Sequence, residues 1–224
     1  VLFNWLITNR VKKGFAPWTL KGWTLSVFSF TYFTAGCLVL TVTGTILIRW
    51  NPFNKEKGKV LYHRILSAYT HSVLYIMGNV KKRIINPGNE QLRQPAVIIS
   101  NHQSFLDILV STMLHPKVIL LTNQWVWRSP VFGSVVRLAD YYPVADGAEG
   151  AIEKLRQRVN QGYSIVVYPE GTRSPDPVIK RFHKGAFYIA EQLGLDILPM
   201  VIHGTAYTMS RSEERRVGKE WRSR

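Results

Sequence analysis

The sequence predicts an α/β domain, built as a mixed sheet flanked by helices and preceded by a hydrophobic membrane helix. The segment predicted as the membrane helix, 23–48, contains no charged residue. Two short apolar runs, at 96–100 and 164–168, suit buried strands. Helix-length segments separate such runs, and strands alternating with helices are typical of α/β domains. We expect 1–58 to form a membrane-anchoring segment with its linker and 59–210 to form the domain.

The length, net charge and cysteine count of the chain limit the kinds of protein that it could be. With 224 residues and 46% hydrophobic residues, the chain is long enough for one domain and an appendage. Its net charge of +15 favours an anionic partner, which could be a nucleic acid, an anionic membrane surface or a phosphorylated substrate. A single cysteine excludes a disulfide within the chain.

The two ends of the chain carry separate expectations. Residues 211–224 read RSEERRVGKEWRSR, a charged stretch without apolar periodicity that looks foreign to the native protein. We therefore leave this tail out of the fold prediction. Because the chain begins at Val1 rather than Met, we expect it to be part of a larger, fused chain.

The uncharged run 23–48 predicts a membrane helix, since about 20 apolar residues suffice to cross a bilayer. Trp23 and Trp50 flank the run, as interfacial anchors do. A buried core helix is the alternative, and the Ser, Thr and Gly residues in the run leave a re-entrant or hairpin arrangement open. Basic residues lie on both sides, so the positive-inside rule gives no orientation.

The rest of the chain alternates between helix and strand patterns. After the linker, the predicted elements are a helix at 59–77, strands at 80–85 and 96–100, a helix at 105–114, a strand at 118–121, a helix at 131–139, a strand at 141–144, a helix at 150–160, a strand at 164–168, a helix at 184–193 and a strand at 197–202. Pro199 lies inside the last of these, which favours an edge strand or a bulge.

The first candidate motif is NHQSFLD at 101–107, directly after a predicted buried strand. Ligands usually bind at the strand ends of an α/β sheet. His102 could act as a general base toward a hydroxyl, with Asp107 holding the imidazole in the required tautomer. The alternative is structural, because Ser104 and Asp107 also have the spacing of a helix capping box.

The second candidate motif is YPEGTRS at 168–174, which follows the other buried strand. Gly171 would let the backbone approach a ligand closely, and Arg173 offers paired donors suited to a phosphate or carboxylate. Glu170 could hold that arginine or accept from a substrate hydroxyl. The alternative is a polar surface turn that carries an ordinary Glu–Arg pair.

Two weaker features follow. In KRFHKGA at 180–186, basic residues and the helix start at Gly185 would reinforce an anion site, although a solvated basic face explains Lys180 and Arg181 better. In LPMVIHGT at 198–205, we interpret His203 as a structural histidine rather than a catalyst.

In this order and spacing, the four blocks resemble the glycerolipid acyltransferase family, typified by lysophosphatidic acid acyltransferase. The NHxxxxD block matches 101–107, and the FPEGTRS block matches 168–174 with Tyr168 in place of the usual Phe. The later FKxGA and V/IPV blocks resemble 182–186 and 198–201. The resemblance covers roughly residues 60 to 208 and implies a glycerol-3-phosphate acyltransferase-like domain.

The resemblance also implies roles for residues. His102 would deprotonate the acceptor hydroxyl, and Asp107 would orient the imidazole. The acceptor head would be bound by Glu170, Gly171, Thr172 and Arg173, with support from Lys184 and Gly185. The implied donor is acyl-CoA or acyl carrier protein, with no cofactor and no metal. The implied location is the membrane, with the active site at the cytoplasmic face and membrane lipids as partners.

One block departs from the family pattern. The family has a block between the two main motifs that ends in Asp-Arg, and its Arg helps to hold the acceptor phosphate. The matching stretch here, YYPVADG at 141–147, has no Arg. A lysophospholipid such as 1-acylglycerol-3-phosphate is the expected acceptor, and a lipid without a phosphate is the alternative.

Two other functions compete with the enzyme prediction. One is a catalytically inactive module that binds an anionic membrane, which the intact His102, Asp107, Glu170 and Arg173 disfavour. The other is a nucleic-acid binder, suggested by charge alone. We expect no nucleic acid as a partner, because the chain lacks clustered basic residues interleaved with aromatic ones.

Overall fold

A computed structural model describes residues 20–50, 54–76, 83–86, 88, 90–143, 151–173 and 178–205. The helices are α1 (Leu20–Gly44, continued by a π-helical turn at Thr45–Arg49), α2 (Lys55–Ile76), α3 (Leu106–Leu114), α4 (Gln124–Trp127), α5 (Gly133–Leu138), α6 (Ile152–Asn160) and α7 (Gly185–Leu193). The strands are β1 (Val97–Ser100), β2 (Val118–Thr122), β3 (Tyr142–Pro143), β4 (Ser164–Val167) and β5 (Ile197–Met200).

The five strands form one sheet in the order β3-β2-β4-β1-β5. All of the described pairings are parallel, so the α/β class is confirmed, whereas the expected mixed sheet is wrong in this respect. The reason lies in the connections. At least one helix follows each of the first four strands before the next begins, and such crossovers join parallel strands.

The centre of the sheet forms the core. β1 and β4 are buried along their whole length, with Ile98, Ile165 and Val166 almost completely inaccessible to solvent. These runs carry no alternation because helices cover both faces of a parallel sheet. β5 lies at the edge, which confirms the expectation for the strand that contains Pro199.

Helices α1 and α2 pack antiparallel. The Tyr69 hydroxyl donates to the Phe33 carbonyl at 2.7 Å in the middle of α1. Near its end, a Cβ at Gly44 would lie 2.6 Å from the Tyr62 ring, so only glycine lets that ring approach. The predicted helix at 23–48 is thereby confirmed, and it is attached to the domain along one side.

Two sequence predictions are wrong where the structure describes them. The linker 51–58 does not extend to Gly58, because α2 already begins at Lys55, where the Asn54 side chain accepts from the Lys57 N–H at 2.8 Å and caps the helix. In the predicted strand 80–85, the described residues 83–85 are exposed and pair with no described strand.

The other predicted elements are confirmed with shifts of one or two residues at their ends. Residues 77–82 and 144–150, which contain the ends of four predicted elements, lie outside the described residues. The tail 211–224 does so as well.

Candidate active site

The loop between β1 and α3 carries the first motif. Its first residue, Asn101, is buried, and its side chain both donates to the Ile202 carbonyl and accepts from the Ile202 N–H, each at 2.8 Å. These two bonds fix the end of β1 to the chain that leaves β5. The loop therefore starts from a rigid position at the carboxyl end of the sheet.

His102 and Asp107 form the predicted dyad. The imidazole Nδ1 lies 3.0 Å from Oδ2 of Asp107, a carboxylate with no solvent exposure, while the His102 side chain keeps 13% of its exposure. In a neutral imidazole, a proton on Nδ1 that is donated to the carboxylate leaves Nε2 as the acceptor nitrogen. The arrangement is therefore the one that a general base of this type requires.

The hydrogen bonds that the capping interpretation predicts are present in the same motif. Oδ2 of Asp107 accepts from the backbone N–H groups of Gln103 and Ser104, each at 2.7 Å, and the Ser104 hydroxyl accepts from the Leu106 N–H at 3.3 Å. Two backbone N–H groups and the Nδ1 of His102 therefore converge on one carboxylate oxygen. The bonds that begin α3 also hold the carboxylate in place for the imidazole.

Tyr168, directly after β4, supports the imidazole from its face. The two rings are stacked with centroids 4.2 Å apart and planes 20° apart. The Tyr168 hydroxyl donates to the Asp107 carbonyl at 2.8 Å and lies 2.7 Å from the Ser111 hydroxyl. Burial raises the pKa of Tyr168 well above its usual value, so this donor keeps its proton.

Glu170 connects the two motifs through the backbone. It is 3% exposed, and its Oε1 accepts from the His102 N–H at 2.8 Å. Its Oε2 accepts from the Lys180 N–H at 3.1 Å. β1 and β4 are neighbours, with Ile99 opposite Val167, so residues 102 and 170 each lie three positions beyond one register pair. Glu170 therefore holds the loop of the base.

The other residues of the second motif line the outside of this turn. Gly171 has a φ of +67°, and a Cβ there would lie 3.5 Å from the His183 ring. The His183 N–H donates to the Pro169 carbonyl at 2.8 Å, which brings the start of α7 beside the turn. Thr172 and Lys184 are exposed, and Arg173 and Gly185 are half-buried.

The structure thus brings His102 into direct contact with Asp107 and with Glu170. It places Gly171 beside the His183 ring, directly before Lys184 and Gly185 at the start of α7. Within the described residues, no group of three or more His, Cys, Asp or Glu side chains could hold a metal ion.

The sequence did not assign a role to Tyr168. The available signal was its position, an aromatic residue at the end of a buried strand, where the family usually has Phe. A ring at this point can stack on a residue from the neighbouring strand, but which residue it meets depends on the strand order.

The comparisons with known proteins find relatives of one family. The family model described as Acyltransferase matches residues 82–203, which include both motifs. A 1-acyl-sn-glycerol-3-phosphate acyltransferase of Cocos nucifera is 32% identical over 71% of this chain and 52% of its own length. The chloroplastic enzyme BAT2 of Brassica napus is 32% identical over 80% of this chain and 55% of its own.

A human relative, 1-acyl-sn-glycerol-3-phosphate acyltransferase beta, is 30% identical over 61% of this chain and 51% of its own. The chain spans about half the length of the curated relatives it matches. Among solved structures, PlsC of Thermotoga maritima, a 1-acyl-sn-glycerophosphate acyltransferase, has a similar fold. The TM-score is 0.58 at 21% identity, covering 80% of this chain and 79% of that one. Since the family model covers more than half of the chain and both strand ends of the site, this chain belongs to the acyltransferase family.

Proposed function

We propose that the protein is a membrane O-acyltransferase. It moves a fatty acyl group from the thioester of acyl-CoA or acyl carrier protein to the hydroxyl of a lysophospholipid such as 1-acylglycerol-3-phosphate. The observation that carries the proposal is the contact between His102 and the buried Asp107 at 3.0 Å, at the end of a central strand. The names of the relatives supply the reaction.

The chemistry needs no covalent enzyme intermediate. Nε2 of His102 takes the proton of the acceptor hydroxyl as the oxygen attacks the thioester carbonyl. The tetrahedral intermediate collapses, the carbon–sulfur bond breaks, and the imidazolium returns its proton to the leaving thiolate. Asp107 stabilises the imidazolium between these two proton transfers.

The acceptor head would bind beside the turn after β4. Arg173 can donate paired hydrogen bonds to a phosphate, and Lys184 adds a second cation at the start of α7. The free N–H groups at that helix start, near Gly185, also favour an anion. Thr172, exposed next to Arg173, offers a hydroxyl to the same head group.

A lipid acceptor without a phosphate is the second candidate. It is favoured by the block at 141–147, which contains no arginine where the family has one. The two candidates make opposite demands on Arg173, because only an anionic acceptor would depend on its charge.

The membrane location is supported by the surface of α1. The segment Val27–Arg49 is long and apolar enough to cross a bilayer, and only 17% of its apolar window is buried. A core helix would be mostly buried. Exposed apolar side chains occur in both halves of the helix, with Val27, Phe28 and Phe30 in the first and Leu38, Val39, Val42 and Ile46 in the second. A surface of this kind requires a lipid or protein neighbour. We place the active site at the cytoplasmic face.

The catalytic proposal is tested with His102→Ala. Purified protein is incubated with labelled acyl-CoA and a panel of lyso-lipids with and without phosphate, and products are identified by mass spectrometry. We expect transfer to fall at least about a thousandfold, because the proton acceptor is removed, while sedimentation with membranes is unchanged. His71→Ala, an exposed histidine on α2, is the control. Turnover retained by His102→Ala would disprove the mechanism.

A further inference from the structure

We propose that residues 178–184, called here the basic segment, form a second membrane-contact surface that docks on anionic phospholipid headgroups beside the active site. The inference rests on the proposed function, because the acceptor of that reaction is a membrane lipid. It concerns a surface separate from α1 and does not depend on which acceptor is used.

The side chains of the basic segment combine two properties. Lys180, Arg181 and Lys184 are exposed cations, and none of them forms an ion pair with a residue in the described ranges. Exposed apolar side chains alternate with these cations, because Val178 (60% accessible) and Ile179 (50%) directly precede Lys180, and Phe182 (38%) stands between Arg181 and Lys184. The segment contains no acidic residue. Apolar side chains interleaved with cations suit the interface of an anionic bilayer.

The position of the basic segment is fixed by two backbone bonds. The Lys180 N–H donates to Glu170 at 3.1 Å, and the His183 N–H donates to the Pro169 carbonyl at 2.8 Å. Both acceptors lie in the turn that follows β4. The segment therefore lies at the carboxyl end of the sheet, at the same end as His102.

The apolar first half of α1 lies at this end as well. Phe33 packs edge-on against Phe105, with ring centroids 5.7 Å apart, directly before α3 begins. The last residue of α1, Gly44, lies against Leu138. Leu138 comes shortly before the first residue of β3, so this end of α1 lies at the amino end of the sheet. The part of α1 from Leu20 to Phe33 is about 20 Å long. It therefore extends beyond the carboxyl ends of the strands, on the side of the candidate active site. A bilayer that receives this half of α1 faces the basic segment.

An acidic acyl carrier protein is the other partner that the charge could attract. A carrier protein would explain only the cations. An anionic bilayer also explains the exposed apolar side chains and the position of the basic segment at the same end of the sheet as the first half of α1, so we favour the lipid surface. Glu170 contacts the backbone of both Lys180 and His102, so a headgroup held on the basic segment lies next to the loop of the base.

The test places a fluorophore on the basic segment of the full chain. In a Cys37→Ala background, which removes the single cysteine, Ile179→Cys is labelled with an environment-sensitive dye. The protein is reconstituted into vesicles with a headgroup spin label. We expect quenching in equimolar phosphatidylcholine and phosphatidylglycerol, little in phosphatidylcholine alone, and a loss of quenching with added salt. Asn160→Cys, exposed at the opposite end of the sheet, should stay unquenched.

Charge removal completes the test. Lys180→Gln with Arg181→Gln should lower the bound-to-free ratio of the labelled segment by roughly an order of magnitude. The matched pair Lys57→Gln with Arg64→Gln removes the same charge from exposed positions on α2 and should leave the ratio unchanged. Equal quenching in both lipids, or equal loss in both pairs, would overturn the proposal. So would a dye response to acyl carrier protein but not to anionic vesicles. Because no turnover is measured, an inactive protein would still answer the question.

Discussion

At the scale of single residues, one oxygen of Asp107 contacts both the start of α3 and the histidine that we propose as the base. Oδ2 receives the N–H groups of Gln103 and Ser104 and the Nδ1 of His102. Oδ1 is buried and bonds no described residue. The capping role of Asp107 and the catalytic role that we propose for it therefore depend on one arrangement, and changing the charge alone separates them.

Asp107→Asn makes that separation. The amide oxygen can take the place of Oδ2 and keep the two backbone bonds, while the amide nitrogen takes the place of Oδ1. We expect kcat to fall about a thousandfold or more, because the imidazolium loses its negative partner, with thermal unfolding close to that of the natural chain. Asp107→Ala, the control, should lose both activity and stability. Equal destabilisation by the two variants would show that the charge itself holds the loop.

Tyr168 gives a second prediction for a single residue. Tyr168→Phe keeps the ring on His102 and loses the bonds to Asp107 and Ser111, so we expect near-normal kcat and a stability loss of about 1 kcal/mol. Tyr168→Leu removes the stacked ring, and we expect kcat to fall about tenfold with KM for both substrates unchanged, since a less well held imidazole is productive less often. Steady-state kinetics distinguish this positioning role from substrate binding, which would raise KM instead.

At the scale of elements, the sequence shows which segments are buried but not how they are ordered. The apolar runs at 96–100 and 164–168 identified β1 and β4, yet their adjacency joins residues 68 positions apart, such as Val97 and Ile165. Local patterns contain no information about such pairings. The wrong strand at 80–85 has the same origin, because Ile84 and Ile85 are apolar but have no described strand beside them and remain exposed.

The candidate site could be predicted to a similar extent: the sequence indicated which loops form it but not how those loops contact each other. The motifs identified both loops, since the polar residues follow directly after buried runs. The pairing of His102 with Asp107 was predicted from one motif, but the contacts between the two loops were not. The oxygens of Glu170 accept from the backbone N–H groups of His102 and Lys180, two partners that the sequence did not indicate. These contacts follow from the parallel neighbours β1 and β4, which bring the two loops together.

A charged cluster connects three elements and can be tested. Asp140, in the turn after α5, lies 2.8 Å from the Lys59 ammonium on α2 and 2.6 Å from the Arg158 guanidinium on α6. Asp140→Asn keeps a residue type that tolerates the φ of +51° but leaves both cations without this partner. We expect chemical denaturation to show a loss of about 2 kcal/mol.

The control for this cluster is Glu56→Gln. Glu56 also contacts Arg158, at 2.8 Å, but its side chain is 55% exposed. Solvent screens such a pair, so we expect a change of about 0.5 kcal/mol or less. Equal losses in the two variants would show that burial of the cluster does not determine its contribution.

At the scale of the whole molecule, one end of the sheet gathers the features that the proposals need. The dyad, the turn after β4, the basic segment and the first half of α1 lie at the carboxyl ends of the strands. The charged cluster around Asp140 and the capped start of α2 lie toward the amino ends. The proposed active site and the proposed docking surface of the basic segment thus lie apart from the charged cluster, and variants at the amino end of the sheet should change stability without changing catalysis.

The stability of the whole chain should depend on pH through His63, which is 3% exposed within this amino end. Burial lowers the pKa of His63 from 6.5 to about 4; Arg158 and Lys59 lower it further, and Asp140 opposes them. Between these two values the unfolded chain binds a proton that the folded chain does not. Stability is therefore constant with respect to this group above pH 6.5 and falls by about 3 kcal/mol as the pH drops toward 4.

Denaturation of the detergent-solubilised protein across this range measures the slope. His63→Leu should remove that slope, and His71→Gln on the same helix should keep it. A slope that survives in His63→Leu would assign the acid sensitivity to other groups.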